Sequence, residues 1–104
     1  MNFRDYFEEM YANDPEYRKA EEQQKAYLDL CDKVFRARHH QNLNIKDVAF
    51  LSGVSRKVIS EFEMMCHMPR KATVRKIFAA LGLAVTDEEL DAAKVAAGYA
   101  IRKI

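Results

Sequence analysis

Arg56 and Lys57 stand together at the start of a short stretch with helical apolar spacing, and Ser60 and Glu61 follow one turn on. Bases in the first turn of a helix can reach guanine O6 and N7 in the major groove of DNA, or the backbone phosphates. A solvated charged face would use the same residue types. Two bases at a helix N-terminus oppose the macrodipole, at roughly a few tenths of a kcal/mol each, and a bound polyanion would offset that cost. Arg70 and Lys71 repeat the arrangement at the next helix start, where phosphate contact is the expected gain. Asn44 is a further phosphate candidate.

His39, His40, Cys31, Cys66 and His67 carry metal-ligating chemistry, but no pair has metal-ligand spacing within a loop. Cys31 falls on the apolar stripe of its helix, so a core thiol and surface imidazoles are the expectation. No nucleophile–base constellation and no Gly-rich phosphate loop occurs. The chain is therefore expected not to be an enzyme and to hold no cofactor or metal.

The elements that must position these residues run from Leu43 to Leu83. Asn44 can cap a first short helix whose inward positions would be Val48, Ala49 and Leu51. Ala49 is small and allows a second helix to cross closely. Gly53 permits a sharp turn, Val54 is an apolar plug, and Ser55 is an N-cap for a helix of roughly Arg56 to Glu63. Ile59 and Phe62 should point inward, with Arg56, Lys57, Ser60 and Glu61 outward. Two helices joined by a three- to four-residue turn containing Gly make a helix-turn-helix. After a loop from Met64 to Met68, Pro69 precedes a helix of about Lys71 to Leu81. Its buried stripe is Val74, Ile77, Phe78 and Leu81, and Gly82 ends it. Thr86 and Glu89 then fit a capping box. The last helix places Leu90, Ala93, Ala97, Ala100/Ile101 and Ile104 on one face, suited to close approach within the chain or to a second copy.

Upstream, Asp14-Pro15 reads as a helix start, with Asp as N-cap and Pro at the first helical position. The helix should run to about Gln41, with a break possible near Gln23-Gln24. Its inward stripe would be Tyr17, Ala20, Gln24, Tyr27/Leu28, Cys31, Val34/Phe35 and Arg38, and its acidic opening half would stand partly clear of the core. Asn42 suits the left-handed position that ends it. Residues 2–12 place Phe3, Tyr6, Phe7, Met10 and Tyr11 on one helical stripe. That stripe reads either as core or as a partner-binding face anchored by Phe3, Phe7 and Tyr11.

The 104 residues suit one domain with an all-α fold. It divides into an acidic, aromatic extension (1–32), a helix-turn-helix core (33–83) and a C-terminal helix (84–104). The formal net charge of +1 hides a strong partition. Residues 1–32 hold four bases and nine acids, residues 33–76 ten bases and three acids, and residues 77–104 three bases and four acids. The basic third is the one with the two-helix pattern, and a local basic field is what a nucleic-acid binder needs. No apolar run approaches the roughly 20 residues of a membrane span. The opening residues carry acids where an export signal carries bases, and the two cysteines form no CxxC pair. A cytoplasmic setting with reduced thiols is the expectation.

The central run resembles the phage-repressor (Cro/CI, or XRE) helix-turn-helix family over about 45 residues. The matches are Leu43, Val48-Ala49, Gly53-Val54-Ser55, Ile59-Ser60, Phe62-Glu63, Pro69, Ile77, Ala80 and Leu81-Gly82. The resemblance implies a bundle of five or six helices containing a lambda-repressor-like helix-turn-helix, with Arg56, Lys57, Ser60 and Glu61 contacting bases and their surroundings. It also implies a structural ion pair between Arg38 and Glu63. Two departures stand out: Ile45 replaces a Gln that often contacts DNA, and Arg70 replaces a Ser cap. The implied function is a DNA-binding transcriptional regulator, acting as a homodimeric repressor. Asp14-Pro15-Glu16-Tyr17-Arg18 is similar to the start of HigA-like antitoxins, which implies a small basic toxin as a further partner. A repressor without a toxin, and a helical interaction module that does not bind DNA, are the alternatives.

Overall fold

A computed structural model of the chain describes residues 14–101 together with Asp5 and Glu9. The aromatic stripe of Phe3, Tyr6, Phe7, Met10 and Tyr11 lies outside the described residues, as do Ile104 and the side chains of Tyr17, Ala20, Ala100 and Ile101. Among the described residues there are five helices and no strand: α1 (Pro15–His40), α2 (Ile45–Ser52), α3 (Arg56–Glu63), α4 (Lys71–Ala80) and α5 (Asp87–Ile101).

α1 begins where Asp14 Oδ1 accepts the Glu16 N–H at 3.0 Å. It runs through Gln23-Gln24 without a break. Its first two to three turns are exposed at Asp14, Pro15, Glu16, Arg18, Lys19, Glu22, Gln23 and Lys25. Among the described side chains burial starts at Tyr27 and continues through Leu30, Cys31 and Val34. Against this face α5 lays Leu90, Ala93, Ala96 and Ala97, all buried. Four positions with only one large side chain make this a close backbone approach, in which a single added methylene is felt. The described part of that face, from Leu90 to Ala97, is thereby used within the chain, the first of the two roles expected from sequence.

α2 packs on α3 and α4, and α3 packs on α1. Val48, Val54, Ile59, Phe62, Val74, Ile77, Phe78 and Leu81 close the core between them. Each large apolar side chain fully removed from water contributes about 1.5–3 kcal/mol. Two expected core positions are not core. Leu51 is 55% exposed, because α2 turns Ile45, Val48, Ala49 and Ser52 inward and Leu51 lies off that face. Phe35 is 44% exposed and stacks instead on His39, with ring centroids 4.3 Å apart.

Three helices stop by the same backbone device. A residue in the left-handed region follows each: Asn42 at φ 56°, Met65 at φ 61° and Gly82 at φ 72°. The next amide then reaches back five residues in the Schellman pattern, Leu43 to Arg38 O at 3.0 Å, Cys66 to Glu61 O at 2.8 Å and Leu83 to Phe78 O at 2.8 Å. Asn and Gly take this conformation cheaply, whereas Met65 does not.

Candidate nucleic-acid interface

α2 is started by a full capping box. Asn44 Oδ1 accepts the Asp47 N–H at 2.8 Å, and Asp47 Oδ2 accepts the Asn44 N–H at 2.9 Å. The carbonyl of the Asn44 amide is thus spent on the cap. Ile45, at the position of the missing Gln, is half-buried against the core. At the other end Gly53 takes φ 73°, and its N–H reaches Ala49 O at 2.9 Å. Ser52 Oγ accepts the Val54 N–H at 3.2 Å, and Val54 drops into the core as its plug.

Ser55 caps α3, its Oγ accepting the Val58 N–H at 3.3 Å. With Ile59 and Phe62 fully buried on one side, the other side of α3 faces outward. Arg56 and Lys57 are exposed there. Lys57 comes within 4.0 Å of Glu61, an i,i+4 pair too solvated to hold either side chain firmly. Ser60 and Glu61 are half-buried, and the Ser60 hydroxyl leans toward Met64 Sδ at 3.8 Å. Among the described residues Arg56 has no carboxylate partner, so its charge is available.

The seating of α3 is fixed from α1. Arg38 donates from Nε to Glu63 Oε2 and from Nη2 to Glu63 Oε1, each at 2.8 Å, and from Nη1 to Leu43 O at 3.0 Å. Hydrogen bonding to Glu63 pushes the guanidinium still further above its ordinary range. Arg38 Nη2 also stands 3.2 Å from His39 Nε2. One side chain therefore joins the end of α1, the lead into α2 and the end of α3, in agreement with the expected ion pair.

The third candidate position divides. Arg70 starts α4 with no side-chain capping bond, is exposed and meets no carboxylate among the described residues. Lys71 pairs with Asp91 and Arg75 with Asp87, both on α5. The sequence reading counted Lys71 as a free base and overlooked those two acids. The acidic opening of α5, set opposite a basic α4, was the signal that could have found them.

Asn44, Ser55, Arg56, Lys57, Ser60 and Glu61 belong to the α2–α3 unit, to which α4 brings Arg70. Phe3, Phe7 and Tyr11 lie outside the described residues. Cys31 is buried, and burial pushes its thiol up to about 12. Among the described residues no three His, Cys, Asp or Glu side chains are grouped so as to hold a metal ion. No helix among them is long and apolar enough to cross a membrane. No family model matches the chain, and no match is found among curated proteins or among solved structures.

Proposed function

We propose that this chain is a sequence-specific DNA-binding transcriptional repressor, in which α2, the Gly53–Ser55 turn and α3 act as a helix-turn-helix of the phage-repressor type. The observation that carries this reading is the state of α3. It is clamped from behind by Arg38 and presents Arg56 and Lys57 outward from a first turn that contains no acid. Such a helix can place its N-terminal side chains against base edges while the rest of the domain stays fixed. Arg70, and the amide nitrogen of Asn44, would hold flanking phosphates. Lys71 contributes less, since Asp91 already claims it.

A homodimer on an inverted repeat follows from the length of sequence that two half-sites about 34–36 Å apart can read. The role assigned is regulatory and not enzymatic, in the cytoplasm. The acidic residues 1–32 and the Asp14–Arg18 run favour a small basic toxin as second partner, with Phe3, Phe7 and Tyr11 as anchors. An antitoxin that represses its own operon joins both properties.

Selection from random duplex DNA, followed by titration of the enriched site, tests the reading. Arg56→Ala should weaken that site by about 1–3 kcal/mol and relax its sequence preference. Failure to retain any duplex at low salt would leave the interaction module as the better reading.

A further inference from the structure

Three of the chain's five methionines stand within residues 64–68, where they enclose Cys66 and His67 in the run Met-Met-Cys-His-Met. The run is the connector that leaves α3, and its first three residues are wound tightly against the helix end. The Met64 N–H donates to Ser60 O at 3.0 Å, that of Met65 to Phe62 O at 3.1 Å and that of Cys66 to Glu61 O at 2.8 Å. Met68 packs against the core. The other four side chains do not: Met64 and Met65 are 66% and 40% exposed, and Cys66 and His67 are exposed beside them. Two thioethers, a thiol and an imidazole thus share one turn at the surface.

Core packing accounts for none of the four. Met65 holds φ 61°, a conformation that Gly or Asn takes cheaply and a methionine does not. The Cys66 side chain folds back over the turn, with its Sγ 3.5 Å from Met64 O. The Met64 Sδ accepts from the Ser60 hydroxyl at 3.8 Å, a weak contact for an unbranched side chain that can swing toward Cys66.

We propose that Met64, Met65, Cys66 and His67 form a binding site for one Cu(I) ion. The Cys66 thiolate is the anchor, the His67 imidazole is the second ligand, and a thioether of Met64 or Met65 is the third. Thiolate and thioether donors select Cu(I), and imidazole suits copper as well. Zinc is served worse, because a structural zinc takes four ligands from Cys, His and carboxylates. Among the described residues no third His, Cys, Asp or Glu is grouped with Cys66 and His67. On binding, the Cys66 S–H bond breaks, the S–Cu bond forms and the proton leaves to water, with no change in oxidation state.

The test titrates the reduced full-length protein, without oxygen, into the coloured Cu(I)–bicinchoninate complex, and reads the loss of colour and the native mass. One Cu(I) per chain should pass to the protein, and the mass should rise by one copper less one proton. Cys66→Ser should abolish the transfer, and excess Zn(II) should not displace the copper. Met64→Leu with Met65→Leu nearly conserves volume at exposed positions, so its melting temperature should stay unchanged. Loss of even an outer-shell partner lowers metal affinity about 10–100-fold, and this double variant should hold Cu(I) more weakly by at least that factor. Protein that leaves all the copper with bicinchoninate overturns the proposal. So does transfer that survives Cys66→Ser, which would move the metal to other side chains. An unchanged affinity in the double leucine variant overturns it too, and makes Met64 and Met65 plain surface. None of these readouts involves DNA, so the copper site and the DNA-binding reading stand or fall separately.

Discussion

Arg38 and Glu63 meet edge to edge in two hydrogen bonds of 2.8 Å, with 11% and 5% of their side chains exposed. The fork geometry suits a guanidinium and no other base, and the third donor reaches Leu43 O. Because the pair is partly shielded from water, its two members matter more singly than together. Burying both charges costs desolvation that their attraction roughly returns, whereas removing one strands the other.

Glu63→Ala should therefore destabilise the fold by about 3–5 kcal/mol in denaturant titration. The double replacement Arg38→Met with Glu63→Leu should recover most of that loss. Equal damage from the single and double variants would mean that the pair contributes net attraction and is not merely mutual compensation.

Arg70 stands at an N-cap where a hydroxyl would serve α4 better. Arg70→Ser should raise stability by about 0.5–1 kcal/mol. The same change should weaken all duplex sequences alike and flatten the salt dependence of binding by about one unit. Thermal melts and binding isotherms on one protein sample check both, and opposite signs are expected.

The α1–α5 contact has little room to spare. Ala93→Leu pushes a large side chain against Tyr27, Leu30 or their neighbours and should cost about 1–3 kcal/mol. Ala92→Leu, one position round the helix and exposed, should change the unfolding midpoint very little.

The Glu89 carboxyl is held below its ordinary value, first by the Thr86 N–H at 3.1 Å, then by the Thr86 hydroxyl and Lys33. Because the folded-state pKa is lowered, the stabilisation is complete above the ordinary carboxylate range. It is lost as pH falls through the lowered pKa. Melting temperature should therefore drop on acidification, and Glu89→Gln should make that drop shallower. An identical pH profile for the two proteins would show that the charge on Glu89 contributes nothing to the cap.

Helix starts were legible because they are written in single residues: Asp14, Asn44, Ser55 and Thr86 each accept the bond that their type predicts. Two of the three Schellman stops, Asn42 and Gly82, were legible for the same reason. Met65 was not, since no local preference favours it, and its conformation is imposed by α3 ending against α1. Leu30 was missed and Phe35 misplaced by the same error, a stripe drawn one position too far round a long helix. Which bases stay free was illegible too. The charges of Lys71 and Arg75 are settled by Asp91 and Asp87, twenty and twelve positions away by count from the sequence. Periodicity within one helix carries no information about such partners.

The three backbone-sealed helix ends have a consequence for how the molecule opens. Amides in connectors normally exchange with solvent quickly, but those of Leu43, Cys66 and Leu83 are bonded back into the helices that they leave. They can be freed only when the last turn of a helix unwinds with them. Residues 27–97 should consequently take up deuterium as one cooperative block, its loops nearly as slow as its helices. The outer turns of α1, with no buried side chain before Tyr27 among the described ones, should exchange first. The boundary between rigid and labile backbone then falls within one continuous helix, and not at any of the loops.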